Sequence, residues 1–403
     1  MQPLDAVYLQ ILKNLCTDLS EPVPLDGVDP SALYRLAEKH CSLPFLLPYF
    51  EQQPQFSALK QQTKQMLLSY YQLEHFTRLT FSLLLSVYVY FLKLNFFFLN
   101  EFSLAANYPI PEYRKLGDLD LYIPEKDAFS RACRILNAHG YTEEPEESDH
   151  HVTYRFTFPE TGRSFTLELH YRIVGIYQFS RANELVDEIF SASHLKPSFV
   201  ELYGQTYPVL PPTENVFYML HHMLKHYLYS GFGSRLLCDF TLYLERYASE
   251  VNFEKIHFWC RESKIFHLYE LILESCRIYF GLSASIDPQV HCSASDCAIF
   301  LEKILADGDF GSDTQRKIVS SGSYQHTGIH AWFHEGHIQM KLRFPKLHKC
   351  VLLWPVLWVI TFFCFLSNPY RIRHTTLRQT LADFRADNRK TKLLKIFDNN
   401  DLQ

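Results

Sequence analysis

The chain has 403 residues, of which 47% are hydrophobic, and its formal net charge is -5. This length and hydrophobic content allow a large core and two or three domains. The negative balance argues against a general nucleic-acid-binding protein, because such proteins present a strongly basic surface. The ten cysteines form no Cys-x-x-Cys pair, which favours a reducing compartment over a disulfide framework.

Residues 1–80 are predicted to form an N-terminal helical region. Leu9, Leu12 and Leu15 begin an apolar stripe at helical spacing, and prolines interrupt the pattern near residues 22–30. The first residues lack the basic and apolar segments of a signal peptide. Together with the cysteine usage, this predicts a cytoplasmic protein.

An apolar and aromatic run extends from Phe81 to Leu99 and opens the predicted α/β core, residues 81–175. The run is long enough to suggest a membrane span. Tyr88, Lys93 and Asn95 interrupt it, so we favour a buried helix that leads into a central strand.

Residues 116–123 carry the most informative pattern, Leu-Gly-Asp-Leu-Asp-Leu-Tyr-Ile. On an extended strand, Asp118 and Asp120 project to one side of the sheet. Two adjacent carboxylates repel each other unless cations compensate them, and divalent ions shared with substrate phosphates commonly do so. Gly117 allows a close backbone approach, as phosphate sites often require. The alternative is a polar strand edge without a ligand.

A second strand is predicted over residues 165–171. Its apolar residues alternate with polar ones, so Glu168 and His170 share a polar face. Between the two strands, residues 128–138 have apolar side chains at helical spacing, and Gly140 is a typical C-terminal stop. This strand–helix–strand order offers Glu168 as a third carboxylate.

Residues 176–310 are predicted to form a helical domain, with helices from Pro211 onward. On the first of these helices, His222, Lys225 and His226 fall on one face through i, i+3 and i+4 spacing. These residues could contact a ligand or pack as ordinary polar residues against the sheet.

Residues 311–403 form a predicted C-terminal tail with a hydrophobic helix. No charged residue occurs over the 17 positions from Cys350 to Leu366, whereas lysines and arginines flank them. This length is at the lower limit for a membrane span, and Pro355 lies within it. The two alternatives are peripheral contact with an anionic membrane through residues 350–366 and a helix buried against the N-terminal region.

Four histidines cluster in the same tail, at positions 326, 330, 334 and 337. They include no His-Glu-x-x-His pattern, and no second ligand set accompanies them. We therefore expect solvent-facing histidines here and no zinc site.

Three motifs in order carry a family resemblance: Gly-Asp-Leu-Asp, a helix ending in Gly140-Tyr141, and Leu-Glu-Leu-His-Tyr-Arg. Together they resemble the bacterial uncharacterised nucleotidyltransferase family of the DNA polymerase beta-like nucleotidyltransferase superfamily. The similarity covers roughly residues 80–245. It implies an α+β fold with a small mixed sheet, helical regions on both sides, and a first strand at residues 95–99.

The resemblance also implies a two-metal site in which Asp118, Asp120 and Glu168 hold Mg2+ or Mn2+. Two such ions can bind both the attacking and the leaving oxygen of a phosphoryl displacement. The implied reaction transfers a nucleoside monophosphate from an NTP to a small-molecule, sugar or protein hydroxyl. The implied nucleotide-binding residues are Arg114, Gly117, His170, Lys225, His226 and the Asn100 turn. Arg114 suits a triphosphate because a guanidinium forks onto phosphate oxygens, although a surface turn residue is the alternative.

The chain departs from the family pattern at the turn that holds the phosphates. Where the family has Lys-Gly after a hydrophobic strand, this chain has Asn100-Glu101. Asparagine is more strained than glycine at positive φ, and Glu101 would repel a triphosphate. An enzyme with phosphate contacts elsewhere is therefore one interpretation, and there are two alternatives to it. One is a catalytically weak nucleotide- or partner-binding protein, and the other is a membrane-associated accessory factor in polysaccharide or secondary-metabolite assembly.

Overall fold

A computed structural model describes much of the chain, with gaps. The described residues are 2–17, 21–23, 25–52, 60–65, 67–68, 94–114, 118–145, 148–159, 162, 164–177, 179–202, 204–227, 231–309, 337, 340–341, 344, 347 and 350–368. The helix predicted to begin at Phe81 falls largely outside them, as do Gly117 and the histidines at 326, 330 and 334.

Helices dominate the described residues. They are α1 (Pro3–Thr17), α2 (Pro30–Lys39), α3 (Leu47–Gln52), α4 (Asn100–Ala105), α5 (Lys126–Ala138), α6 (Ser180–Ile189), α7 (Pro212–Lys225), α8 (Ser234–Tyr247), α9 (Phe253–Glu262), α10 (Phe266–Ser275), α11 (Ala294–Asp307) and α12 (Trp354–Asn368). The strands are β1 (Phe97–Phe98), β2 (Leu119–Tyr122), β3 (Thr142–Glu143), β4 (His151–Thr157), β5 (Ser164–His170), β6 (Ser198–Leu202) and β7 (Gln205–Val209).

The strands form one sheet in the order β3-β4-β5-β2-β1-β7-β6. The β2–β5 and β1–β7 pairs are parallel, and the remaining neighbours are antiparallel. Parallel neighbours need a crossover, which α5 contributes between β2 and β5. The mixed sheet with its surrounding helices confirms the predicted α+β class.

One face of the sheet packs against α5. Leu119 and Leu121 of β2 are buried in the same cluster as Leu167 and Leu169 of β5. Ala128, Ala132 and Leu136 of α5 join them, because the small alanines let the helix lie close to the strands. The alternation expected from the sequence is thus confirmed on both strands.

The opposite face meets the helical parts of the chain. Phe97 and Tyr122 are buried in a cluster shared with α1, α7, α8 and α10. The Tyr122 hydroxyl donates to the Phe190 carbonyl at 2.7 Å, which ties this face to the end of α6. Helices therefore cover part of the face from which Asp120 projects.

The sheet is larger than the sequence predicted. The core was expected to end at residue 175, yet β6 and β7 extend the same sheet to Val209. Strand β4 was also missed, because His150 just before it and His151 at its start hide the alternation of Val152 and Tyr154 that follows.

Helix α12 corresponds to the hydrophobic segment of the tail. No helix among the described ranges has the length and apolar character needed to cross a bilayer. Several of its apolar side chains are exposed, with Val356 at 58% and Phe363 at 63%.

A buried ion pair joins the segment before β2 to α8. The Arg114 guanidinium donates from Nε to Oδ1 of Asp239 and from Nη2 to Oδ2, both at 2.8 Å. Tyr108 donates its hydroxyl to Oδ1 of Asp239 at 2.7 Å. Exposure of the two charged side chains is 1% and 0%, so solvent cannot replace either partner.

We predict that Asp239→Asn lowers the free energy of unfolding by about 3 to 5 kcal/mol, because it leaves the Arg114 charge buried without its carboxylate. The double variant Arg114→Met with Asp239→Leu should recover much of that loss. Urea unfolding monitored by circular dichroism measures both. Glu144→Gln is the control, since the side chains of the Arg155–Glu144 pair are 49% and 31% exposed and the pair should contribute at most about 1 kcal/mol. Equal losses in the single and double variants would contradict this account.

His40 gives the fold a sensitivity to acid. Its side chain is fully buried, Nδ1 accepts from the backbone N–H of Ser234 at 3.1 Å, and Nε2 faces the Leu305 carbonyl at 3.4 Å. Burial lowers the pKa of His40 to about 4, more than the contact with Leu305 raises it. The neutral ring is therefore the form that fits the folded chain.

We predict that His40→Gln flattens the pH dependence of stability. A histidine that protonates more readily when unfolded contributes its full stability above the unfolded pKa of about 6.5, and that contribution is lost as pH falls toward 4. Between pH 6 and 5 the slope of the unfolding free energy should decrease by about 1 kcal/mol per pH unit. His291→Gln, at a side chain that is 73% exposed, should keep the wild-type slope. An unchanged slope in His40→Gln would contradict the assignment.

Candidate active site

Asp120 and Glu168 lie side by side on the sheet. They are direct partners in the parallel β2–β5 ladder, and both project from the face opposite the leucines that pack on α5. Their side chains are 15% and 23% exposed, so a ligand can reach them. Asp118 lies immediately before β2 and is exposed. The structure thus brings together two of the three predicted acids and places the third at the same strand.

His170 completes this group. Its Nε2 is 3.5 Å from Oδ1 of Asp120 and 3.5 Å from Oε2 of Glu168. Burial lowers the pKa of His170, but the two carboxylates outweigh burial and raise it to about 9. For Glu168, burial raises the pKa, but contact with His170 and nearby positive charge outweigh burial and hold the pKa at about 2. An imidazolium therefore compensates the carboxylates when no other cation is bound.

The donor atoms of this group suit a divalent metal ion. One atom each from Asp120, Glu168 and His170 lie within 4.8 Å of one another. His170 is only 4% exposed, and its Nε2 lies between the two carboxylates without a short hydrogen bond to either. A metal ion shared with the carboxylates would take this central position.

The segment that departs from the family pattern lies next to the acids. The Leu99 N–H donates to the Asp120 carbonyl at 3.0 Å, and Asn100 begins helix α4. The chain therefore passes from β1 through the single residue Leu99 into helix α4. Gly117 lies outside the described residues.

Lys225 of α7 approaches the acids from the helical region. It is exposed, and its positive charge lowers the pKa of Glu168, after the larger effects of burial and the neighbouring histidines. His226 is placed differently. Its Nδ1 donates to the Gly231 carbonyl at 3.1 Å, and its Nε2 lies 3.2 Å from Nε2 of His222. Of these residues, Lys225 is the one whose charge acts on the acid group.

Arg114 does not occupy the place expected for a triphosphate contact or for a surface turn. Its guanidinium is 1% exposed and is bound at two nitrogens by Asp239. A phosphate would have to displace this carboxylate, at the cost of leaving it buried. Arg114 instead holds α8 against the segment that leads into the acid pair.

Two histidines that the sequence analysis did not predict also lie at the site, His151 of β4 and His150 just before it. His151 is the direct partner of His170 in the β4–β5 ladder, and its Nδ1 lies 3.6 Å from Oε2 of Glu168. The ring of His150 meets that of His151 edge-on and is tilted against that of His170, with centroid distances of 4.4 and 5.5 Å. The signal that could have revealed them is the alternation of His151 and Thr153 with Val152 and Tyr154, which marks a half-buried strand.

Comparisons with known proteins agree with a nucleotidyltransferase. A family model described as an uncharacterised nucleotidyltransferase matches residues 26–281. No curated protein matches the chain. Among solved structures, the chain is similar to an antigenic nucleotidyltransferase-like protein from Paracoccidioides brasiliensis. Identity is 13%, the TM-score is 0.35, and the match covers 52% of this chain and 95% of that chain.

A TM-score of this size carries no argument about fold or function. The family match is different in kind, because it runs through β2, β5 and α7 and includes Asp120, Glu168 and Lys225. Since it spans more than half of the chain, the protein belongs to the uncharacterised nucleotidyltransferase family.

Proposed function

We propose that the protein is a metal-dependent nucleotidyltransferase of the DNA polymerase beta-like superfamily. It moves a nucleoside monophosphate from an NTP to a hydroxyl group of a small molecule, a sugar or a protein. The observation that carries this proposal is the pairing of Asp120 with Glu168 on an accessible face of the sheet, in a chain of the nucleotidyltransferase family.

Asp118, Asp120 and Glu168 are the residues that would hold Mg2+ or Mn2+, because these hard cations prefer carboxylate oxygens and substrate phosphates. When bound, the metal offsets the negative charge of the triphosphate and of the group that leaves. His170 compensates the carboxylates in the absence of that cation. Its position between them keeps the acids close together before substrate arrives.

The acceptor hydroxyl gives up its proton to water as its oxygen forms a bond to the α-phosphorus. The bond from that phosphorus to the bridging oxygen breaks, and pyrophosphate leaves. The charge of Lys225, which lowers the pKa of Glu168, would attract the polyphosphate. The α4 turn after β1 lies beside Asp120 and contributes backbone N–H groups on that side. These elements position the nucleotide between the sheet and the helical region.

Asn100-Glu101 favours a second candidate, a catalytically weak protein that binds a nucleotide or a partner. The sequence at this turn lacks the lysine and glycine of the family pattern, and a glutamate stands where the triphosphate charge is expected. In this case the acid group serves binding, and the protein acts as an accessory factor.

We predict that Asp120→Asn and Glu168→Gln each abolish nucleotidyl transfer, because either change removes a metal-binding oxygen charge. The assay incubates purified protein with Mg2+ or Mn2+ and each labelled NTP, with and without cell extract as the source of acceptor. Glu143→Gln on β3 is the matched control, since this sheet acid is exposed and lies two strands from Glu168.

Transfer that survives both substitutions would overturn the assignment of the acids. Loss in all three variants would point to an unstable sheet, so circular dichroism spectra of the variants accompany the assay.

The turn yields a separate prediction. Replacing Asn100 by lysine and Glu101 by glycine should tighten NTP binding by roughly ten- to a hundredfold, or about 1 to 3 kcal/mol, because it removes repulsion and supplies a cation. Calorimetry with a non-hydrolysable NTP and Mg2+ measures the change. Tight binding by the natural chain, unaltered by the double substitution, would mean that the phosphates bind elsewhere.

We also propose peripheral membrane contact through residues 350–366. Described apolar side chains of the segment that are exposed include Leu352 at 89%, Val356 at 58% and Phe363 at 63%, whereas Leu357 is buried. Lysines and arginines flank it in the sequence. Exposed apolar surface next to basic residues is typical of segments that bind anionic bilayers.

We predict that the purified protein binds anionic lipid vesicles in a flotation assay and that added salt weakens the binding. Leu352→Asp with Val356→Asp should abolish it. Phe258→Asp, at a side chain of α9 that is 54% exposed, should leave it unchanged. A natural chain that stays with the soluble fraction at low salt would contradict the proposed contact.

A further inference from the structure

Three histidines converge beside the acid pair. One ring nitrogen each from His150, His151 and His170 lie within 4.8 Å of one another. The ring centroids are 4.4, 5.1 and 5.5 Å apart. The side chains are only 10%, 10% and 5% exposed, respectively. Imidazole nitrogens that lie this close together and are mostly buried can share one ligand.

A carboxylate orients the first of these rings. Nδ1 of His150 lies 2.7 Å from Oδ1 of Asp149, and Oδ2 of Asp149 accepts from the Ile176 N–H at 2.9 Å. The proton on Nδ1 leaves Nε2 as the nitrogen with a lone pair. Histidines that bind metals commonly donate their other N–H to a carboxylate in this way, which fixes the tautomer and the ring orientation.

Other contacts hold the rings of His151 and His170 in place. His151 is held by the β4–β5 ladder opposite His170, and its Nδ1 lies 3.1 Å from the Ser148 hydroxyl. His170 has no hydrogen-bond partner at either ring nitrogen within the described part of the chain. Its nearest charged atoms, on Asp120 and Glu168, are 3.5 Å away. A buried ring in this state is available to a further ligand.

We propose that His150, His151 and His170 form a site for a transition-metal cation of the Zn2+ class, next to the carboxylate site for Mg2+. Imidazole nitrogens suit zinc, cobalt, nickel and copper, whereas magnesium prefers oxygen ligands. Three protein ligands leave a fourth position open, and Glu168 is a carboxylate that lies beside both His151 and His170, at 3.6 and 3.5 Å. The inference stands on the histidine geometry and does not depend on nucleotidyl transfer.

The test is a Zn2+ titration of the full chain without an affinity tag, in competition with a chromophoric chelator, together with the visible spectrum of the Co2+ form. We expect one tight site in the natural chain. His150→Gln with His151→Gln should weaken zinc binding at least about a hundredfold, and Asp149→Ala should weaken it by about 10 to 100-fold. Magnesium in large excess should not displace the bound zinc.

Two controls separate this site from others. Cys292→Ser alters the neighbouring group of His267, Cys292 and Asp296, and His330→Ala with His334→Ala alters the histidines of the tail; both should keep the tight site. Asp118→Asn should also keep it, even if this change abolishes nucleotidyl transfer. Natural affinity in the β4 histidine double variant would overturn the proposal, as would zinc binding lost only in Cys292→Ser. Circular dichroism confirms that each variant folds.

Discussion

Parallel pairing of β2 with β5 places the carboxylates of Asp120 and Glu168 next to each other on one face of the sheet. Two half-buried carboxylates side by side are unfavourable without a cation. The His170 imidazolium, on β5 with Glu168, is that cation. The leucines on the opposite face fix this register, since a slip of one residue would turn the acids into the core against α5. Packing of the leucines against α5 thus keeps the two carboxylates on the accessible face of the sheet.

The helical region is attached to this sheet by specific contacts. Arg114 and Asp239 form a buried pair between the approach to β2 and α8, and the Tyr122 hydroxyl of β2 donates to the Phe190 carbonyl at the end of α6. Lys225 lies at the end of α7, and its charge lowers the pKa of Glu168.

The sequence was informative where a pattern is local. Alternation predicted the strands that carry Asp120 and Glu168, and helical spacing predicted α5, because each depends on residues a few positions apart. The partner of Arg114 is 125 positions away in the chain, so no local pattern revealed its burial. Strand β4 was missed because a pair of histidines, His150 before it and His151 at its start, hides the alternation. The β6–β7 hairpin was missed because Pro208 is atypical of a strand.

The central claim is that the acids of β2 and β5 hold a divalent metal beside a nucleotide. Anomalous X-ray diffraction from crystals grown with Mn2+ and a non-hydrolysable NTP tests it most directly. The account predicts an anomalous peak in contact with carboxylate oxygens of Asp120 and Glu168, with the triphosphate on the same ion. A nucleotide bound in the crystal away from these acids, with no manganese at them, would contradict it.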